Sequence, residues 1–194
     1  MTITIGPGDA LCVVDVQRDF LPGGSLAVHD GGAVVPVLNR YIALARRKRI
    51  PIYASRDWHP QNHCSFKARG GPWPVHCVAE TAGAEFAPGL ELPANTGIVS
   101  KATREEADAY SAFSNTDLAL RLRKLDIKRV LVGGLATDYC VLNTVLDALK
   151  EGFQVLLLKD AIRAVNANPG DGDRAEREMV SAGALPIRLE DCSQ

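Results

Sequence analysis

The stretch "KRVLVGGLATDYCVLNTVLDALKEG", Lys128 to Gly152, contains the transition that decides the fold. Its opening part, "KRVLVGGLA", is apolar almost throughout, as a parallel strand buried on both faces must be. From about Thr137 the period changes. Val141, Val145, Ala148 and Leu149 recur at offsets of three and four, which predicts a helix to Lys150 with Gly152 as its stop. A strand that hands over at once to a helix is half of a βαβ crossover, the connection that parallel strands require.

The same alternation extends in both directions. Upstream, "DALCVVDVQ" (Asp9 to Gln17) and "PIYASRD" (Pro51 to Asp57) read as strands, separated by a helix with Val34, Val35, Leu38, Tyr41, Ile42 and Ala45 on one face and an end near Arg49. "GIVSKA" is a further strand, and "TDLALRLRKLD" a helix with Leu118, Leu122 and Leu125 on one face. Downstream, "QVLLLKDA" is a strand, Arg174 to Ala182 a helix, and "LPIRLE" a sixth strand. Right-handed crossovers then give an α/β protein: a three-layer αβα arrangement around an open parallel sheet of about six strands. With 194 residues, 46% of them hydrophobic, the chain can bury one sizeable core and is short for two, so residues 1–194 are expected to form one domain.

Charge and cysteine use exclude several classes of function. The formal charge is −1, and the one basic run, Arg46 to Arg49, sits at a predicted helix end, where cations favour the dipole. Neither a nucleic-acid footprint nor an anionic-membrane footprint follows. "MTITIGPGD" lacks the features of a signal peptide, no apolar run nears the ~18 residues of a membrane span, and a cytoplasmic location is expected. Five cysteines, an odd number in a chain of this size, read as reduced thiols. Cys12 reads as a small core hydrophobe, and Cys192 in the tail says little.

The 58–95 stretch breaks the alternation. Rich in Gly, Pro and His with little periodicity, it is unusual inside a compact domain unless it has a function. At its start, "RDWHPQNHCSF" places Asp57 and His59 two apart at a strand end, with His63 four residues on; His76 follows in "WPVHC". Three imidazoles and a carboxylate suit Zn, Fe or Mn, although histidines in loops are also common as surface groups. A structural Cys2His2 site through Cys64 and Cys77 has the wrong spacing. Asp15, Asp57, Lys101 and the "GGLATDYC" turn all fall at strand carboxyl ends, where open α/β sheets bind ligands. Cys140, in the first turn of its helix, is either a buried apolar-face thiol or a nucleophile whose thiolate the helix dipole favours. In the second case the neighbouring amides can hold an oxyanion, Asp15 can take the thiol proton, and Lys101 can balance the charge. The plainer readings are an Asp that caps a turn and a Lys that snorkels.

These residues resemble the nicotinamidase branch, pyrazinamidase type, of the isochorismatase-like cysteine hydrolases. "VVDVQRDFLPGGSLAV", "RDWHPQNHCSF", "GPWPVHCV", "VSKATREEADAYSAF" and "VGGLATDYCV" arrive in the family's order and cover nearly the whole chain. The resemblance implies a catalytic triad of Asp15, Lys101 and Cys140, and one divalent metal ion on Asp57, His59, His63 and His76. It also implies a cis Leu135-Ala136 peptide with the amides of Ala136 and Cys140 at the oxyanion, and an aromatic substrate slot that includes Phe20, Trp73 and Tyr110. The implied reaction is hydrolysis of a small amide, nicotinamide or pyrazinamide, within NAD salvage. Two residues depart from the family pattern: Arg18 stands where many members have Asn, and Tyr139 where some have His. A carbamoyl or other small-amide hydrolase and a non-catalytic metal-binding protein are the alternatives. A homo-oligomer stays open.

Overall fold

The computed structural model describes residues 2–193. Its strands are β1 (Asp9–Val14), β2 (Ile52–Asp57), β3 (Gly97–Lys101), β4 (Arg129–Leu135), β5 (Gln154–Arg163) and β6 (Leu185–Ile187). Its α-helices are α1 (Val34–Lys48), α2 (Leu118–Lys124), α3 (Leu142–Lys150) and α4 (Asp171–Ser181). The strands form one sheet in the order β3-β2-β1-β4-β5-β6, with every pairing parallel. The chain winds outward from β1 to β3 and returns to place β4 against β1. The β1/β4 junction is therefore the point where the winding direction reverses and a crevice opens at the strand carboxyl ends.

Strand alternation explains the three layers. Leu11 and Val13 of β1 pack with Leu131 and with Leu38, Tyr41, Ile42 and Ala45 of α1 on one face. Ala10, Cys12 and Val14 point to the other face, with Val130 and Val132, against Leu118 and Leu122 of α2, Val145 of α3 and Met179 of α4. The expected αβα architecture and six-stranded parallel sheet are thus present. Among the described residues, no helix is long and apolar enough to cross a membrane.

Several boundaries differ from the sequence expectation. The helix predicted from Thr137 opens instead as a π-helical turn, Thr137–Val141, and becomes α-helical at Leu142. Leu125, expected on the buried face of α2, lies past the end of that helix and is 55% exposed. α4 begins three residues before Arg174, after a left-handed Gly170 and with Asp171 and Asp173 in its first turn, where the dipole favours acids. β6 stops at Ile187 because the Arg188 N–H turns to Asp191 Oδ2 (2.7 Å) in a capping box. Residues 58–96 carry no α-helix or extended strand. They are fixed by single bridges, His59 with Val78, Phe66 with Trp73 and Phe86 with Gln17, and by 3-10 turns at Lys67–Arg69 and Ala82–Ala84.

Candidate active site

Asp57 and Lys101 are the last residues of β2 and β3 and stand opposite each other in register. Asp15 follows β1 immediately, in the left-handed region (φ 47°), a conformation that a non-glycine residue holds only when its surroundings impose it. β4 approaches unusually closely: a Cβ on Gly134 (φ 134°) would stand 2.0 Å from the Val14 carbonyl oxygen. Only glycine permits that contact, which brings the Cys140 turn against the end of β1. The Leu135-Ala136 peptide that links β4 to this turn is cis, as expected.

Lys101 joins the three strand ends. Its fully buried Nζ donates to Asp57 Oδ1 (2.5 Å) and the Ala109 carbonyl (3.0 Å), and stands 2.9 Å from Asp15 Oδ2 and 3.4 Å from Cys140 Sγ. It does not snorkel. Asp15 Oδ1 accepts from Ser55 Oγ (2.7 Å). Asp15 Oδ2 has the ion-pair distance to Lys101 but poor hydrogen-bond alignment, and among the described residues no donor satisfies it. A buried carboxylate oxygen without a donor is costly, and the Cys140 thiol, whose Sγ lies within 4.8 Å of the Asp15 and Asp57 carboxylates, is placed to supply one.

Burial is the largest single influence on each of these groups, and for Lys101 and Asp57 neighbouring charges overcome it. It pushes the Cys140 thiol well above its ordinary value; Lys101 opposes this, and Asp15 and Asp57 add to it. Desolvation beside two carboxylates therefore opposes the thiolate that a helix dipole would favour. Burial also raises Asp15, with Lys101 pulling it down and Asp57 pushing it up. Lys101, which burial alone would discharge, is kept charged by Asp15 and Asp57. Asp57, despite burial, is held below its ordinary value by Lys101 and then His59.

Next to this cluster, Asp57, His59 and His76 present one ligand atom each, all within 4.8 Å of one another. The Nδ1 of His76 faces the Pro74 carbonyl (2.8 Å) and that of His59 the Ala102 carbonyl (3.3 Å). Each Nδ1–H then donates to its carbonyl, which leaves both Nε2 lone pairs, 3.3 Å apart, facing one point. Two nitrogens at about 2.0–2.1 Å from one tetrahedral ion are separated by roughly that distance. Burial lowers His59 to about 4, against the Asp57 carboxylate, so its ring is neutral at pH 7 as a ligand must be. The donor set fits a divalent metal.

His63 stacks on His59 (centroids 4.2 Å) but lies outside that set, with Nδ1 2.7 Å from Ser65 Oγ and Nε2 3.3 Å from the Ala107 carbonyl. Cys64 and Cys77 also lie outside it, and all five cysteines are free. Phe66 packs 5.5–5.8 Å from all three imidazoles and keeps the surroundings apolar.

A slot opens above Cys140, lined by Phe20, Leu26, Val28, Trp73, Tyr110, Tyr139 and Val165 together with Asp57, His76 and Ala136. It encloses about 350 Å³ of empty space, counting its open mouth. Trp73 Nε1 donates to Tyr110 Oη (2.9 Å), and Tyr139 packs edge-on against Trp73. Tyr139 is thus part of the slot. Arg18, the other departure from the family pattern, instead reaches Glu85 (3.1 Å) at the surface.

Three supporting residues escaped the sequence analysis. Gln17, fully buried, clamps the backbone of Asp57: its Nε2 donates to the Asp57 carbonyl (2.8 Å) and its Oε1 accepts from the Asp57 N–H (2.8 Å). Ser55 orients Asp15. Asp19 Oδ2 accepts from the Cys77 N–H (2.7 Å) and so fixes the backbone next to His76. A Gln and an Asp inside the "VVDVQRDF" run, just past a buried strand, were the available signal.

The isochorismatase domain model matches residues 9–191. The nicotinamidase of Escherichia coli (strain K12) is 40% identical over 206 residues, which span 95% of this chain and 97% of that protein. Among solved structures, the pyrazinamidase of Pyrococcus horikoshii in complex with zinc superposes with a TM-score of 0.91 at 51% identity, covering 94% of this chain and all of that one. A protein from L. infantum in complex with nicotinate also superposes with a TM-score of 0.91, at 38% identity over 100% of this chain and 99% of that one.

Proposed function

We infer that this chain, which belongs to the isochorismatase domain family, hydrolyses nicotinamide to nicotinate and ammonia through a thioester on Cys140. The observation that carries the inference is the position of Lys101 Nζ, 2.9 Å from Asp15 and 3.4 Å from Cys140 Sγ, beside an aromatic-lined slot. Aromatic side chains around Cys140 suit a flat ring whose carboxamide reaches the thiol. Nicotinamidases as relatives and a nicotinate-bound neighbour support the same substrate class.

As Sγ attacks the carboxamide carbon, the thiol proton passes to Asp15 Oδ2, the buried acceptor that lacks a donor. The amides of Ala136 and Cys140 receive the oxyanion. Asp15 returns the proton to the departing nitrogen, and ammonia leaves a thioester. Asp15 then takes a proton from water as that water attacks, and gives it back to Sγ when nicotinate departs. Lys101 keeps its charge throughout, so the buried carboxylates are never left unpaired.

Asp57, His59 and His76 would hold a divalent metal, zinc being the ion in the neighbouring pyrazinamidase, and His63 would join them by exchanging the Ala107 carbonyl for the ion. When bound, that metal supplies an open coordination position for the ring nitrogen of the substrate. Phe20, Trp73 and Tyr110 hold the ring's faces and edge. Production of nicotinate by an NAD-salvage enzyme is the role that follows.

Ammonia and nicotinate release from nicotinamide tests the inference directly. Wild-type protein is expected to release both in equal amounts, and Cys140→Ala to release neither while it keeps its circular dichroism and metal content. Turnover by Cys140→Ala would reject the covalent route.

A further inference from the structure

We propose that Asp138 is a positioning residue that sets the width of the substrate slot by holding Val165 in its wall. The proposal deepens the nicotinamidase reading and rests on it. Asp138 sits in the Thr137–Val141 turn, two residues before Cys140, and its side chain reaches the segment between β5 and α4. There its two oxygens take two consecutive backbone amides: Oδ1 accepts from the Val165 N–H (2.9 Å) and Oδ2 from the Asn166 N–H (2.8 Å). Val165 lines the slot.

The same segment is tied from its far side. Asn166, in the left-handed region (φ 52°), accepts at Oδ1 from the Gly172 N–H (2.8 Å) in the first turn of α4. A Cβ on Gly172 would stand 2.6 Å from Ala164 Cβ, so the segment lies against the helix with no room for a larger residue. Residues 164–166 are therefore held between a carboxylate on the Cys140 turn and the amino end of α4. Tyr139, between Asp138 and Cys140, contributes a second wall by packing against Trp73 (4.9 Å) and Tyr110 (5.6 Å). One short turn thus carries the nucleophile and references two walls to it.

The consequence is specificity for an unsubstituted flat ring. Two hydrogen bonds from backbone N–H groups to one carboxylate fix how far Val165 stands from the Cys140 turn. A ring that carries a methyl group towards Val165 is excluded by where the wall is held as well as by its bulk. Deleting the carboxylate should free the wall and leave Sγ, Asp15 and Lys101 in place. The effect then falls on KM and on substrate preference, with kcat spared.

The test is steady-state kinetics on nicotinamide and 5-methylnicotinamide for wild type, Asp138→Ala, Val165→Ala and the double variant. A methyl group against a pocket wall is worth roughly 10-fold or more in discrimination. Asp138→Ala is expected to raise KM for nicotinamide about 10-fold, to change kcat by less than about 3-fold, and to lower the preference for nicotinamide over its methyl derivative by about 10-fold. The double variant should discriminate no less than Val165→Ala alone, since with the side chain gone there is no wall left to hold. Unchanged preference in Asp138→Ala, or a fall in kcat at constant KM and preference, would overturn the proposal. Should that variant not fold, Asp138→Asn replaces it, since it turns one of the two acceptors into an NH2 that faces a backbone N–H, and unchanged preference there overturns the proposal equally. Wild-type protein inactive on both amides would instead reject the nicotinamidase reading itself, and this proposal with it.

Discussion

Asp15 concentrates the energetics of the site in one side chain. It is fully buried, left-handed in its backbone, held by Ser55 at one oxygen and left with a second oxygen that no donor among the described residues satisfies. Burial raises its pKa, Lys101 offsets part of that rise and Asp57 adds to it, so its protonation falls above the ordinary range of an aspartate. A general base acts only when ionised. The acid limb of kcat/KM should accordingly lie above the usual carboxylate pKa, with the rate falling as pH drops through it. Asp15→Asn should lower kcat/KM by about 10²–10⁴-fold and abolish that limb, as a pH–rate profile will reveal. Near-wild-type activity in Asp15→Asn would remove Asp15 from the mechanism. Its candidacy was legible because a lone carboxylate after "LCVV" is out of place in a core strand. The roles of Ser55 and Gln17 were not, because a polar residue in a buried strand does not reveal its partner across the sheet.

At the scale of elements, the site depends on how closely β4 approaches β1. The alternation of strands and helices was readable throughout, since buried parallel strands and amphipathic helices leave different periods in the sequence. The π-helical opening of the Cys140 turn was not readable, because Val141, Val145 and Ala148 keep the same apolar spacing whether or not the first turn is wider. The early start of α4 was equally hidden, because Asp171 to Asp173 extend no apolar stripe. "GG" at the end of β4 was visible, but its cause is the Val14 carbonyl on a neighbouring strand. Gly134→Ala should therefore destabilise the protein by about 2–4 kcal/mol, as urea denaturation will read out, because both the backbone conformation and the 2.0 Å contact oppose a Cβ. A change below about 0.5 kcal/mol would mean that β4 has room to move and does not locate Cys140 through this contact.

Over the whole molecule, the interruption between β2 and β3 brings His76 back to the end of β2 and encloses one side of the slot. Its lack of periodicity was the visible signal, and its path was not, since single bridges leave no repeat. The metal should serve substrate capture as well as closure of this segment. Removal of metal by a chelator should lower kcat/KM for nicotinamide far more than for benzamide, which has the same shape without the ring nitrogen, and equal proportional losses would reduce the ion to a structural clamp. The central claim, however, is the thioester on Cys140, and partitioning by hydroxylamine tests it most directly. Turnover of nicotinamide and of methyl nicotinate in the presence of hydroxylamine should yield nicotinohydroxamate and nicotinate in the same ratio, because both substrates pass through one acyl-enzyme. Different ratios from the two substrates, or no hydroxamate from either, would contradict it.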